Sequence, residues 1–176
     1  LLLAKDNINL DVAHNYEAQT SDSKTSGWGF DNRMTGLPIG VYKNKANGDG
    51  ATDTVTGTNL SVGGKATLAN TQGDINIIGS NAVSTGDMNL NAANNLNIVS
   101  AQNTAQNENH GNNKAIGKVV ISDTERFMGY HSEKANNDNQ TVTQVSSNVG
   151  SLNGNVNATA GNQYTQTASN VVAGHD

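Results

Sequence analysis

The stretch "GDINIIGSNAVSTGDMNLNAANNLNIVSAQNT" (Gly73–Thr104) alternates apolar and polar residues in short runs. Apolar side chains take every second position in Ile75-x-Ile77, Met88-x-Leu90 and Leu96-x-Ile98. A period of two predicts strands with one buried face. Small polar segments such as "STGD" separate the runs and predict tight turns. The stretch therefore predicts a succession of short strands and contains no helical pattern.

The same pattern recurs along the chain with a period of 21 or 22 residues. The repeated pairs are Asn59 and Asn81, Leu68 and Leu90, Ile75 and Leu96, and Ile77 and Ile98. A further copy spans Asn148–Gln166, with Val156 placed 66 residues after Leu90. A unit of about 20–22 residues with two or three short strands predicts one coil of a parallel β-helix. Since one coil cannot bury its own apolar face, each coil needs neighbours.

A longer period of 88 residues relates the two halves of the chain. Leu2, Ile8 and Leu10 lie 88 residues before Leu90, Leu96 and Ile98, respectively. Two segments break the short period, and each predicts a β-hairpin-like excursion. We therefore expect one solenoid fragment over residues 1–176, built of unit one (1–88, insertion 17–55) and unit two (89–176, insertion 105–142). The closing "SNVVAGHD" (Ser169–Asp176) repeats "SNAVSTGD" (Ser80–Asp87) and begins a further unit.

Most of the aromatic residues lie in the two insertions. Insertions on a solenoid usually map to one face, which is often the binding face. The candidate interaction surface consists of Trp28, Phe30, Tyr42, Phe127 and Tyr130. The alternative is that these side chains only pack the hairpins onto the solenoid.

The composition excludes several classes of protein. The chain has 29 Asn, 19 Gly, one Pro and no Cys, and its net charge is −5. Disordered chains favour Pro and high net charge, whereas Asn-rich, Pro-poor sequence suits stacked strands with amide ladders. Ten scattered Lys and Arg residues form no basic stripe, so we expect no nucleic-acid partner. The chain begins without Met, and we expect it to be an internal fragment of a longer protein.

No arrangement of polar residues in the sequence predicts a catalytic, cofactor or metal site. The coil carboxylates Asp6, Asp11, Asp74 and Asp87 have the positions of turn residues. The charged run from Asp123 to Lys134 suits a solvated hairpin with cross-strand pairs. The four His residues show no ligand spacing. We therefore predict a non-enzymatic chain without a cofactor or a bound metal.

The stretch Gly73–Thr104 resembles the filamentous-haemagglutinin repeats of large two-partner-secreted exoproteins of Gram-negative bacteria, in which "G-D-x-x-L-x-A-x-x-x-L-x-I-x-x-A-x-x-T" is characteristic. The insertions, each a Gly-rich loop followed by a polar tract and, in the second, "TQV" (Thr143–Val145), resemble the second repeat block of contact-dependent growth inhibition exoproteins and related adhesins. This resemblance implies a right-handed parallel β-helix, secretion through an outer-membrane transporter partner and display at the cell surface.

The resemblance leaves two biological roles open, because adhesins and toxin-delivery proteins share these repeats. It implies that the insertions contact a target-cell surface through a protein receptor, a glycan or the outer membrane. We therefore predict a structural and interaction segment of a secreted surface exoprotein. The alternative is a carbohydrate-active enzyme, since lyases and hydrolases also use parallel β-helices.

Overall fold

The computed structural model describes residues 1–28, 40–120 and 126–175, and all its regular elements there are strands. In chain order they are β1 (Leu2–Ala4), β2 (Ile8–Leu10), β3 (Val12–Trp28), β4 (Gly40–Gly57), β5 (Asn59–Val62), β6 (Ala66–Asn70), β7 (Ile75–Ile78), β8 (Asn81–Ser84), β9 (Met88–Ala92), β10 (Asn95–Val99), β11 (Ala101–Val120), β12 (Arg126–Val145), β13 (Asn148–Ser151), β14 (Val156–Ala160), β15 (Gln163–Thr167) and β16 (Asn170–Ala173). The expectation of an all-β chain is confirmed.

Twelve short strands form three four-stranded parallel sheets. Sheet I has the order β1-β6-β9-β14, sheet II the order β2-β7-β10-β15, and sheet III the order β5-β8-β13-β16. The chain passes through sheets I, II and III in turn, and we call one such passage a coil. Coil 1 is β1, β2 and β5; coil 2 is β6, β7 and β8; coil 3 is β9, β10 and β13; coil 4 is β14, β15 and β16. Neighbours in each sheet therefore come from consecutive coils.

The strand register confirms most of the repeats read from the sequence. Asn59 pairs with Asn81, Leu68 with Leu90, and Ile75 with Leu96. The placement of Val156 is wrong, because Val156 pairs with Met88 and it is Ala158 that pairs with Leu90. The corner before β14 has four residues (152–155), whereas the corner before β9 has three (85–87). The second insertion is also one residue longer than the first, since Ile98 and Asn148 are 50 residues apart and Leu10 and Asn59 are 49. A spacing of 66 residues therefore misplaces the frame of coil 4 by two residues.

The alternating apolar side chains of the three sheets form one core. Its fully buried large side chains come from the middle coils, and they include Leu68, Ile75, Ile77, Met88, Leu90, Leu96, Ile98 and Val149. Strands β7, β9 and β10 alternate between buried and less buried positions, as period two requires. Burial declines in the end coils, since β1 and β14 have a neighbour on one edge only.

Polar ladders run across the coils. Buried Ser80 and Ser147 lie at the corner between sheets II and III, and the Oγ atom of Ser147 accepts the Ser80 N–H at 3.2 Å. Asn side chains donate along the stack from Asn81 to Asn59, from Asn148 to Asn81, and from Asn170 to Asn148, at 2.7–2.9 Å. These bonds satisfy amides that face neighbouring coils, so the abundant Asn residues serve the stacking.

The four long strands form a separate antiparallel sheet of order β12-β11-β4-β3, which we call the long-strand sheet. Strands β3 and β4 follow β2 in coil 1, and β11 and β12 follow β10 in coil 3. The chain divides into two compact units, one of Leu1–Tyr16, Asp53–Thr104 and Val142–Asp176, and a second of Glu17–Thr52 and Ala105–Thr141. The sequence predicted two separate hairpins, and it did not reveal that β4 and β11 would join them into one sheet.

Candidate functional site

Two residues of the predicted interaction surface have described side chains, and they differ in exposure. Tyr130 in β12 is 55% exposed. Tyr42 in β4 is half-buried, because its ring covers the backbone of Gly27 in β3. A Cβ atom at Gly27 would lie 2.8 Å from the Tyr42 hydroxyl oxygen and 3.0 Å from its ring. Tyr42 therefore packs within the sheet and offers only part of its ring to a partner.

The other three residues of the predicted surface lie partly or wholly outside the described part of the structure. Trp28 and Phe127 have their backbones in β3 and β12, and their side chains fall outside it. Phe30 lies outside the described residues altogether. The five-residue surface therefore stays a prediction.

Three apolar side chains that the sequence pattern did not single out are exposed on the long-strand sheet. Val41 lies at the start of β4, Ile116 lies near the end of β11, and Met128 lies near the start of β12 at 77% exposure. Gly40 approaches the carbonyl oxygen of Ile116, so β4 and β11 meet at this end of their strands. Val41 and Ile116 therefore lie at the same end of the sheet, and exposed apolar side chains that lie together favour partner contact. The alternation of apolar and other residues in "AIGKVV" (Ala115–Val120) could have indicated exposed aliphatic side chains here. The predicted surface was chosen from aromatic residues only and therefore did not include them.

A groove of about 690 Å³ lies within the first unit, lined by residues next to β2, β7, β10 and β15. The Nδ1 atom of His14 lies 2.9 Å from an Asp53 carboxylate oxygen, and the His14 ring stacks on Tyr16 with the ring centroids 5.6 Å apart. The Oγ atom of Ser100 donates to Oε1 of Gln144 at 2.7 Å. Such a groove offers hydrogen-bonding groups and an aromatic face.

Among the described residues, the groove does not pair a serine nucleophile with a histidine base. A nucleophile needs its base within hydrogen-bond reach, but the Ser100 hydroxyl bonds to Gln144 and His14 bonds to Asp53. Asp11 accepts the backbone N–H of Val12, which is a turn role. Sequence reasoning did not bring His14 and Asp53 together, because 39 residues and a hairpin separate them.

Three ionisable residues meet in the second unit. Ligand atoms of Glu108, His110 and Asp138 all lie within 4.8 Å of one another. The His110 Nδ1 atom lies 3.1 Å from Oδ1 of Asn136, and its Nε2 atom lies 4.0 Å from Glu108. His110 and Asp138 are exposed, and the group has the geometry of a cross-strand ion-pair cluster. The sequence could not show it, because the residues lie on two strands.

One ion pair ties the corners of the parallel sheets together. Lys65 Nζ lies 2.8 Å from Asp87 Oδ2, and Asp87 also accepts the Asn155 N–H at 3.1 Å. The Lys65 contact and the Asn155 bond hold the pKa of the Asp87 carboxyl below its usual range. The same carboxylate raises the pKa of the Lys65 ammonium. Lys65 directly precedes β6 in coil 2, Asp87 precedes β9 in coil 3, and Asn155 precedes β14 in coil 4. The Asp87 carboxylate therefore links three consecutive coils.

Sequence comparisons find similarity between this chain and bacterial proteins named as a toxin and as nucleases. The chain is 38% identical over 103 residues to "Toxin CdiA" of Yersinia pestis and 37% identical to "Deoxyribonuclease CdiA" of Yersinia pseudotuberculosis serotype O:3 (strain YPIII). It is 35% identical to "tRNA nuclease CdiA" of Burkholderia pseudomallei. Each match covers 58% of this chain and 3%, 10% and 8% of the respective relative.

Three further findings concern solved structures, membrane-spanning helices and the family of the chain. No solved structure matches the chain significantly. Among the described residues there is no helix of the length and apolar character needed to cross a membrane. The family model of the hemagglutinin repeat matches residues 39–176, which is more than three quarters of the chain. The chain therefore belongs to the hemagglutinin repeat family.

Proposed function

We propose that the chain is a structural and interaction segment of a large secreted exoprotein displayed at the bacterial surface. Its three parallel sheets, in which consecutive coils pair strand by strand, support a right-handed parallel β-helix as its architecture. The family match is the observation that carries the proposal. The segment extends the protein by stacking coils, and the full protein leaves the cell through an outer-membrane transporter partner.

The proposed biological role is contact-dependent toxin delivery, with adhesion as the second candidate. Toxin delivery is favoured because the matched relatives are named as a toxin, a deoxyribonuclease and a tRNA nuclease. The chain spans a tenth or less of those relatives. In this role, the segment is a non-catalytic part of the protein that carries the toxin.

The proposed contact residues are Trp28, Phe30, Tyr42, Phe127 and Tyr130, and their proposed partner is a protein receptor, a glycan or the outer membrane of a target cell. Exposure of Tyr130 and Met128 supports this proposal, because interface cores are enriched in aromatic residues and Met.

Binding of the labelled chain to target cells tests this surface. We expect a variant with Trp28, Phe30, Phe127 and Tyr130 all changed to Ser to lose most of its binding while its circular dichroism spectrum is unchanged. The matched control is Tyr164→Ser, which removes an exposed aromatic side chain of β15. Equal binding by the folded four-residue variant and the native chain would show that these residues are not the contact surface.

An assay for sugar cleavage separates the proposal from the alternative of a carbohydrate-active enzyme. The chain is incubated with bacterial surface polysaccharides, and new reducing ends are measured. We expect no turnover above buffer. Turnover that Asp53→Asn abolishes, with folding unchanged, would overturn the non-catalytic role, because Asp53 lines the groove beside His14.

A further inference from the structure

Each of the four sheets formed by the described residues has four strands, although the strands come from the coils in three sheets and from the insertions in the fourth. One coil adds one strand to each of sheets I, II and III. One insertion adds two strands to the long-strand sheet, and insertions occur in coils 1 and 3. Each pair of coils therefore adds two strands to every sheet. Because strands in any sheet are about 4.8 Å apart, the four sheets grow by the same length per pair of coils.

The contact between β4 and β11 shows how one insertion joins the next. A Cβ atom at Gly48 of β4 would meet Oδ1 of Asn109 at 2.7 Å, and Gly40 lies against the carbonyl oxygen of Ile116. The two strands therefore run in opposite directions with their backbones close together. This is a complete junction between two insertions that belong to different coils.

Strand β12 occupies the position in its repeat that β4 occupies in the preceding one. Both strands lead into sheet III, as β3 and β11 both leave sheet II. Gly129 follows Gly40 by 89 residues, which is also the spacing from Asn59 to Asn148. A glycine therefore lies at the same place in β12 as in β4, the strand that already accepts a neighbour.

The outer edges of the long-strand sheet are long and unprotected by proline. Strand β3 has 17 residues and β12 has 20, and the single proline, Pro38, lies in neither. Long edge strands are templates for pairing with another chain, and proline is a common means of preventing it. We infer that the β12 edge binds the β3 strand of a second copy of this repeat unit, so that the long-strand sheet continues from copy to copy. This junction does not depend on whether the protein serves adhesion or toxin delivery.

Hydrogen exchange of a tandem chain, two copies of residues 1–176 joined through one Ala, tests the inference. Leu2 pairs with Leu68, which in turn pairs with Leu90. Two residues before Leu68 and Leu90, the inward-facing positions are filled by Ala66 and Met88. The added Ala fills the corresponding position before Leu2 of the second copy. In the single chain at low concentration, peptides from β3 and β12 should exchange faster than those from β4 and β11. In the tandem chain, β3 and β12 should each give two equal populations, one exchanging at least about 100-fold more slowly.

Peptides from other strands control for general stabilisation. Strands β4 and β11 should give one population in both chains, since they are inner strands throughout. Peptides from β1 and β14 report on pairing of the coils, because these are the edges of sheet I. A single fast population for β3 and β12 in the tandem chain overturns the inference, whatever β1 and β14 show. Slow exchange of both strands in the dilute single chain overturns it as well, because another occupant would then cover the edges.

Two neighbouring proline variants give an independent test. In an antiparallel strand, successive residues direct their N–H groups to opposite edges of the strand. One of the variants Asn139→Pro and Gln140→Pro therefore removes a hydrogen bond to β11. The other variant removes an N–H group that points away from β11, toward the outer edge. The variant that leaves the thermal midpoint of the single chain unchanged identifies the outward position. In the tandem chain, the same variant should abolish the slow population of β12. Persistence of that population would count against pairing through this edge.

Discussion

Buried hydroxyl groups at the corner between sheets II and III show how single residues fix the stacking. Ser147 donates to the carbonyl oxygen of Val99 at 2.6 Å and accepts the N–H of Ser80. Ser169 occupies the equivalent position one coil later, where its Oγ atom lies 3.3 Å from the Ser147 nitrogen. An apolar side chain at position 147 would leave the buried N–H of Ser80 without its acceptor, although the carbonyl oxygen of Val99 would still accept the N–H of Gly79 at 3.0 Å. Polar residues at these inward positions therefore stabilise the coil corners.

Ser147→Ala should lower the free energy of unfolding by about 1–3 kcal/mol, because it leaves the buried N–H of Ser80 without its acceptor. Urea denaturation followed by circular dichroism measures the change. Ser169→Ala is the matched control, since Ser169 is partly exposed and water can replace its hydroxyl group. Equal losses in the two variants would contradict the importance of burial.

The ion pair between Lys65 and Asp87 gives the fold a dependence on acid. The pKa of Asp87 is lowered by the contact with Lys65 and by the Asn155 N–H. Its stabilising contribution is therefore complete above its ordinary value of 3.8 and is lost as the pH falls through the lower value in the folded chain. We expect the Asp87→Asn variant to melt below the native chain at pH 7 and to match it near pH 2. A difference that persists at pH 2 would contradict this cause.

The control for the acid effect is Lys24→Gln, whose partner Asp22 lies 3.9 Å away and which is exposed. It should change the melting temperature little at any pH, because exposed pairs contribute little. Lys65→Gln should reproduce only part of the Asp87→Asn effect, since the bond from the Asn155 N–H remains.

At the level of strands, stability is concentrated in coils 2 and 3. Strands β7 and β10 have partners on both edges, and their inward side chains are fully buried. Strands β1 and β14 pair on one edge, and Leu2 is 44% exposed. The contribution of an apolar residue therefore depends on the coil in which it lies.

Leu96→Ala should cost about 2–5 kcal/mol, because it opens a cavity at a side chain with no exposed surface. Leu2→Ala should cost about 0.5 kcal/mol or less, as at other exposed positions. Chemical denaturation of both variants measures the contrast. Similar losses would show that the end coil is packed as tightly as the middle of the stack.

Period-two alternation predicted these short strands from sequence alone, because inward apolar residues such as Ile75, Ile77, Leu96 and Ile98 are spaced two apart within each strand. The junction of β4 with β11 could not be predicted, since no local pattern records which distant strand will pair. The contact of His14 with Asp53 was missed for the same reason. The register of Val156 was misplaced by two residues, because the corner before β14 and the second insertion are each one residue longer than their counterparts, which a fixed period cannot anticipate.

At the scale of the whole molecule, the three parallel sheets behave as a one-dimensional stack in which each coil is stabilised by its neighbours. Amide exchange in a dilute sample should be slowest in β6–β10 and faster in β1, β2, β14, β15 and β16, which lie in the end coils. Exchange monitored by mass spectrometry over hours measures this gradient. Uniform protection of all coils would contradict it and would indicate that the end coils are covered.

The presence of an insertion in every second coil restricts how such a protein can change its length. Removal of a single coil would place two insertions in adjacent coils, so two coils would supply four long strands instead of two. Loss or gain of two coils together keeps one insertion for every two coils. Evolution and engineering of this array should therefore proceed in steps of one whole 88-residue repeat, and its reach should vary in increments of about 10 Å.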